Sequence, residues 1–157
     1  MKYSRIIMAL IMLTASSVGA GELKSSKPAE RDKCPVCGMF VAKYPDFVAQ
    51  VIFQDGSHSF FDGVKDMMKY YFDLAKYNPA KKTSDIGAIF VTDYYTLQLI
   101  DGFQAWYVSG SDVYGPMGRE LIPFQEEAAA REFMADHQGK AIFKFSQITA
   151  EVVKGLD

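Results

Sequence analysis

The order in which short apolar segments recur along the chain most constrains its fold. Residues 47–53 are rich in β-branched and aromatic side chains, and residues 58–61 form a return strand after the hairpin signal Asp-Gly-Ser at 55–57. Apolar residues then recur at helical spacing over 64–75, and the apolar segment 86–93 is typical of a central strand. This first half therefore predicts the order strand, strand, helix, strand.

The second half of the chain has the same order of elements. Strands are predicted at 105–111 and 120–124, a helix at 125–137 and a last strand at 141–148. A unit of this size buries too little surface to be stable alone, so the two units are expected to pack together. The repeat predicts an α+β protein made of two ββαβ units.

The amino terminus has the pattern of a secretory signal peptide. Lys2 and Arg5 precede an apolar run at 6–13, and small residues follow up to Ala20. The run is well below the roughly 20 apolar residues that span a bilayer. We therefore expect export to the periplasm, cleavage after Ala20 and no stable membrane anchor afterwards. No cysteine lies near this point to accept a lipid.

These observations divide the chain into four parts. They are a signal peptide at 1–20, a polar flexible linker at 21–33, a first ββαβ unit with the cysteine stretch at 34–93, and a second unit at 94–157. The formal net charge is −2 at pH 7, from 17 basic and 19 acidic residues, with no basic block. This balance argues against a nucleic-acid partner. We expect a monomer or a weak dimer.

The two cysteines of the chain, Cys34 and Cys37, lie with Met39 in the stretch DKCPVCGMF. A disulfide between them would close a very small loop and would stabilise the fold little, because the gain grows with loop length. The pair is therefore expected to have a chemical role. Thiol–disulfide exchange, zinc binding and soft-metal binding are the three interpretations that these residues leave open.

Two of these interpretations fit the sequence less well. A thiol–disulfide exchanger needs a strand before the first cysteine and a helix after it, and neither pattern flanks Cys34. A structural zinc site needs four ligands, and His58 and His137 are spaced unlike the histidines of zinc modules. Both remain alternatives.

Soft-metal binding accounts for more of the residues. Thiolate and thioether ligands prefer Cu(I), and Cys34, Cys37 and Met39 can direct their sulfur atoms to one ion from a single turn. Met117 stands in a rigid Gly-Pro-Met-Gly turn, where a core methionine is not expected. His58, on the first hairpin, is a further candidate ligand. The sequence contains no nucleophile–base pair or phosphate loop, so we expect no enzyme activity.

Several blocks together resemble the NosL family of copper-binding accessory proteins for nitrous oxide reductase maturation. They include CGM, SFFDGVKDMMKYY, IGAIFVTDYY and AWYVSGSDVYGPMGRELIPF, within residues 34–148. The resemblance implies two ββαβ units with a likeness to organomercurial lyase. It also implies a Cu(I) site at or near Cys37, Met39 and Met117, and a partner that is a copper-accepting enzyme or a copper export system.

The chain departs from the family pattern in two ways. Family members are commonly lipoproteins, whereas this chain has no cysteine after the predicted signal peptide. Cys34 is additional to the usual Cys-Gly-Met and makes a dithiol with Cys37. We expect Cys34 either to complete the copper site or to engage the ion first during transfer.

Overall fold

The computed structural model describes residues 23–157. The predicted signal peptide at 1–20 and its cleavage point lie outside the described residues. The first half of the chain contains the elements β1 (Ala49–Phe53), β2 (His58–Phe61), α1 (Val64–Phe72), α2 (Leu74–Tyr77), β3 (Ile86–Thr92) and β4 (Leu99–Asp101). The second half contains β5 (Trp106–Gly115), β6 (Gly118–Phe124), α3 (Glu127–Asp136), β7 (Ala141–Lys144) and α4 (Ala150–Lys154).

The strands form two antiparallel sheets with equivalent strand orders. The first sheet has the order β2-β1-β3-β4, and the second has the order β6-β5-β7. The first strand of each unit is therefore central, with the second strand on one side and the strand that follows the helix on the other. This confirms the prediction of an α+β fold of two ββαβ units.

The hydrophobic core lies mainly between the first sheet and helix α1. All five residues of β1 are buried, because this strand is central and is covered on both faces. Val64, Met67 and Met68 of α1 are buried in the same cluster, which also contains Cys34. The turn between β1 and β2 forms as predicted, and the Asp55 carboxylate accepts the Ser57 backbone N–H at 3.1 Å.

The predicted helix at 64–75 is interrupted at Asp73. This residue has a non-helical conformation, with φ −134° and ψ 54°, and its carboxylate accepts the Lys76 backbone N–H at 3.2 Å. It thereby ends α1 and caps α2. The prediction of one continuous helix was wrong here, because Asp competes with the helical backbone for hydrogen bonds.

Two short elements were not predicted. Strand β4 has three residues and extends the first sheet beyond β3. Helix α4 follows Thr149, whose hydroxyl caps it by accepting the Val152 backbone N–H at 3.3 Å. It packs against α1 and brings Val153 and Leu156 into the core.

The hairpin between β5 and β6 is tighter than predicted. Gly115 pairs with Gly118, so Pro116 and Met117 alone form the turn, and β5 and β6 extend beyond the predicted strands at 105–111 and 120–124. Gly118 has φ +89°, which favours glycine. The longer strands carry Met117 to the tip of a rigid two-residue connection.

Residues 23–29 have no regular secondary structure, but they contact the first sheet. Ser26 donates its backbone N–H to the Gln50 side chain at 3.0 Å, and the Gln50 amide donates to the Ser26 hydroxyl at 3.1 Å. Within residues 23–157, every helix is too short or too polar to cross a membrane.

Candidate metal site

The loop that carries both cysteines is closed by its own backbone. The Cys34 N–H donates to the Met39 carbonyl at 2.9 Å, and the Gly38 N–H donates to the Cys34 carbonyl at 2.9 Å. Gly38 has φ +79°, a left-handed conformation that a residue with a side chain adopts only with strain. This closed loop holds the sulfur atoms of Cys34 and Cys37 within 4.8 Å of each other.

Two aspartates complete a compact group with the cysteines. One ligand atom from each of Cys34, Cys37, Asp62 and Asp66 lies within 4.8 Å of every other. The Cys37 thiol donates to Asp62, with Sγ 3.2 Å from Oδ1 and 3.4 Å from Oδ2. The Cys34 thiol donates to Asp66 Oδ2 at 3.5 Å. We call these four residues the Cys–Asp cluster.

Most of the Cys–Asp cluster is inaccessible to solvent. Cys34 and Asp62 are each 1% exposed, and Asp66 is 2% exposed. Cys37 is only half-buried, so it is the member of the cluster that solvent can reach. The cluster is therefore a buried polar site with one accessible thiol.

The junction between β2 and α1 positions both aspartates. Asp62 directly follows β2, and Asp66 lies in the first turn of α1. Residues four apart around a helix start lie on the same side, so the two carboxylates can face one point. The signal available in the sequence was this spacing, with Asp66 between the apolar residues Val64 and Met67. The sequence analysis did not identify Asp66 as a site residue, because polar residues on a helix are expected to face solvent.

Asp62 does not cap α1, although an aspartate just before a helix commonly serves as its N-cap. The N-cap is Gly63, and no side chain from that position caps the helix. The Lys65 backbone N–H in the first turn is accepted instead by Glu120 Oε1 of β6, at 2.5 Å. Because Glu120 accepts this N–H group at the start of α1, the Asp62 carboxylate is free to accept the hydrogen bond of the Cys37 thiol.

Burial keeps both thiols protonated at neutral pH. The pKa of Cys37 is raised to about 11, chiefly by desolvation and also by the nearby carboxylates of Asp66 and Asp62. The pKa of Cys34 is raised well above its ordinary value, again chiefly by burial. Backbone N–H groups act in the opposite direction: those of Val36 and Cys37 face the Cys34 sulfur, and that of Met39 faces the Cys37 sulfur. A cation that replaces the protons would find these donors already in place for the thiolates.

The two predicted methionines lie in different segments, Met39 in the cysteine loop and Met117 in the β5–β6 turn. Met39 is half-buried within the cysteine loop. Met117 is 42% exposed at the tip of the β5–β6 hairpin. The Lys65 ammonium donates to the Met117 carbonyl at 2.7 Å, and Lys65 directly precedes Asp66 on α1. The fold thus fastens the turn that carries Met117 to the same end of α1 that carries the cluster.

The structure does not bring His58 to the Cys–Asp cluster. This side chain is exposed at the hairpin end of β2, and its ring packs against Phe60 at 5.1 Å between centroids. Four residues of extended chain, about 13 Å at 3.3 Å per residue, separate it from Asp62. Its distance along the strand excludes it from the group that the cysteines form.

Thiols and carboxylates together provide ligands for a metal cation. Thiolate sulfur suits soft ions, and carboxylate oxygen suits harder ones. In the described residues, 23–157, this is the group of cysteine, histidine and acidic side chains that is close enough to hold an ion. The site is therefore a candidate metal centre.

Comparisons with known proteins agree with this assignment. The NosL family model matches residues 25–153. The curated protein "Copper-binding lipoprotein NosL" of Stutzerimonas stutzeri is 27% identical over 146 residues, which cover 88% of this chain and 76% of that protein. The crystal structure of the copper chaperone NosL from Shewanella denitrificans has a TM-score of 0.70 and 21% identity, covering 83% of this chain and 98% of that one. This likeness confirms the fold.

Proposed function

Because the chain belongs to the NosL family, we propose that it binds one Cu(I) ion at its cysteine loop and delivers the ion to a partner protein. The observation that carries the proposal is the approach of the Cys34 and Cys37 sulfur atoms to within 4.8 Å, with Cys37 half-buried. A relative in Stutzerimonas stutzeri is named for copper binding. Two adjacent thiols with one facing solvent suit an ion that must both bind and leave.

In this proposal sulfur atoms supply all the bonds to copper. Cu(I) is soft, and it accepts thiolate and thioether ligands. Cys37 and Cys34 bind as thiolates, and the backbone N–H groups of Val36, Cys37 and Met39 stabilise their charge. Met39 and Met117 provide neutral thioethers that bind weakly and exchange readily. The exposure of Met117 favours it as the ligand that leaves first.

The same arrangement provides a route for transfer. A donor from the partner approaches on the side of Met117 and Cys37 and adds to the ion as the thioether leaves. The buried thiolate of Cys34 releases the ion last, so no free copper enters solution. The partner is a copper-accepting enzyme, for which nitrous oxide reductase maturation is the favoured case, or a copper export system in the periplasm.

Thiol–disulfide exchange is a weaker proposal. The thiolate is the nucleophile in exchange, and exchange enzymes lower the pKa of the attacking cysteine. Here the pKa of Cys37 is raised to about 11 and that of Cys34 is raised further. Thiols in this state react slowly until a metal displaces their protons.

The experiment is a competition titration of the reduced protein against a chromophoric Cu(I) chelator. Met39→Leu with Met117→Leu should weaken Cu(I) binding, because leucine keeps the volume and removes the thioether. Met134→Leu is the matched control, since Met134 lies in α3, half-buried against the second core cluster. Cu(I) affinity of the double variant equal to that of the control would refute the thioether ligands. Failure of the unaltered protein to take copper from the chelator would refute the function.

A further inference from the structure

The two carboxylates of the Cys–Asp cluster depend on the thiols for their hydrogen bonds. Asp62 and Asp66 are almost completely buried, at 1% and 2% exposure. Among the described residues, the hydrogen bonds that these two side chains accept come from the thiols of Cys37 and Cys34. Within residues 23–157, no lysine or arginine forms a salt bridge with either carboxylate. A buried carboxylate without a donor is costly, so loss of the S–H groups would destabilise the site.

Oxidation of the cysteines would remove both donors. A disulfide has no hydrogen on sulfur, and its two sulfur atoms are bonded to one another. In the dithiol, the sulfur atoms of Cys34 and Cys37 lie within 4.8 Å of each other, and each contacts a carboxylate. To form the disulfide, they would have to move away from Asp62 and Asp66 towards one another. The two aspartates would remain at the buried junction of β2 and α1 without a thiol donor.

We infer that Asp62 and Asp66 keep the cysteine pair in its reduced state, because their hydrogen bonds stabilise the dithiol and are lost in the disulfide. The inference rests on the proposed function only for its purpose, since Cu(I) needs thiolate ligands and a disulfide provides none. We expect export to the periplasm, where disulfides form and persist. A pair of adjacent cysteines that must bind copper there needs a means of resisting oxidation.

The reaction that the carboxylates oppose is exchange with a small disulfide such as oxidised glutathione. Cys37 reacts first because it is the accessible thiol. Its sulfur bonds to one glutathione sulfur, and the other glutathione leaves as a thiol with the proton that Cys37 loses. Cys34 then bonds to the Cys37 sulfur, and its proton goes to the second departing glutathione. The two cysteines are oxidised, and one glutathione disulfide is reduced to two thiols.

Stabilisation of a reduced dithiol has a measurable consequence. It raises the reduction potential of the pair, so that the disulfide becomes a stronger oxidant and the dithiol persists at a higher ratio of oxidised to reduced glutathione. The effect is on the equilibrium between the two forms. It is therefore distinct from the slow reaction of a buried, protonated thiol, which changes only the rate.

The first test is the equilibrium of the protein with mixtures of oxidised and reduced glutathione at pH 7, without metal. Alkylation of the remaining thiols and mass spectrometry give the disulfide fraction. Asp62→Asn and Asp66→Asn should each raise the equilibrium constant for disulfide formation by at least about tenfold, which is about 30 mV for this two-electron couple. An amide has nearly the size of the carboxylate and is less costly to bury without a donor, because it carries no charge.

Asp46→Asn, at an exposed carboxylate outside the cluster, is the control. It should leave the equilibrium constant unchanged. Equilibrium constants of both cluster variants equal to that of this control would overturn the inference.

A measurement on the unaltered protein covers the case in which a variant does not fold. The contacts of the thiols with Asp62 and Asp66 are lost on unfolding, so only the folded state opposes the disulfide. We therefore expect the oxidised protein to unfold at a lower urea concentration than the reduced protein, although a disulfide ordinarily stabilises a fold. An oxidised protein as stable as the reduced one, or more stable, would overturn the inference. Both measurements are made without copper, so a failure of Cu(I) binding leaves their outcome unaffected.

Discussion

The Sγ atom of Cys37 lies 3.2 Å from Oδ1 of Asp62, so the more accessible thiol of the chain donates to a buried carboxylate 25 residues further on. The contact joins the cysteine loop to the junction of β2 and α1. It also holds a proton where the proposed metal would bind.

Removal of the Asp62 charge should make Cys37 more reactive. Carboxylates near the thiol oppose its ionisation, so Asp62→Asn should lower the pKa of Cys37 and increase its thiolate fraction. We expect several-fold faster alkylation of Cys37 by iodoacetamide, followed by peptide mass spectrometry. Asp46→Asn should have no effect. An unchanged rate in the Asp62 variant would show that burial alone controls this thiol.

Cu(I) affinity should fall as the solution is acidified. The pKa of Cys37 is raised to about 11 and that of Cys34 is also raised, so both thiols are protonated at neutral pH and both protons must leave. Each displaced proton changes the affinity by about tenfold per pH unit. The unaltered protein should therefore change by about 100-fold per unit, and Cys34→Ser by about tenfold.

The same titration decides the role of Cys34. Equal pH dependence in the two proteins would mean that Cys34 keeps its proton when copper binds. It would then not be a ligand in the loaded state. Circular dichroism of the Cys34→Ser variant is needed beside it, because Cys34 is 1% exposed in the core.

Lys65 should support copper binding without touching the ion. Its ammonium donates to the Met117 carbonyl at 2.7 Å and lies 3.6 Å from the Asp157 carboxylate. Lys65→Met should free the turn and lower Cu(I) affinity. Lys69→Met is the matched control, since Lys69 pairs with the same Asp157 oxygen at 2.5 Å. A similar loss of affinity in both variants would assign the effect to Asp157 and not to the turn.

The loss of stability between pH 4.5 and pH 8 should depend on Glu120. Burial raises its pKa from 4.5 to about 8, so the folded state holds this proton more tightly than the unfolded state. The stabilisation from this group is complete below pH 4.5 and is lost as the pH rises towards 8. Glu120→Gln keeps the acceptor for the Lys65 N–H and removes this loss.

Urea denaturation across this pH range measures the effect. Relative to the unaltered protein, the Glu120→Gln variant should gain stability as the pH rises, on the order of a few kcal/mol because one pKa unit corresponds to about 1.4 kcal/mol. A difference between the two proteins that stays constant with pH would contradict the raised pKa.

The sequence predicted the fold well because its strands and helices follow simple apolar periods. A turn separates β1 from β2, and a segment of helical periodicity separates β2 from β3. The antiparallel hairpin at 55–57 formed as expected. β4 has only three residues, and a segment of that length carries too little periodicity to identify a strand. The interruption at Asp73 depended on one side-chain hydrogen bond that competes with the helix.

The candidate site was only half predictable. Cys34 and Cys37 are neighbours in the chain, so their meeting followed from local spacing. Asp62 looked like a helix cap because the residue that takes over this role, Glu120, lies 58 positions later in a different strand. Contacts of that separation depend on how the two sheets pack, which periodicity does not specify.

X-ray absorption at the copper edge of the Cu(I)-loaded protein tests whether sulfur atoms alone bind the ion. We expect the ion to have sulfur neighbours only, and we expect Met39→Leu with Met117→Leu to reduce their number while both thiolates remain. Nitrogen or oxygen neighbours in the unaltered protein, or an unchanged number of sulfur neighbours in the double variant, would contradict this expectation.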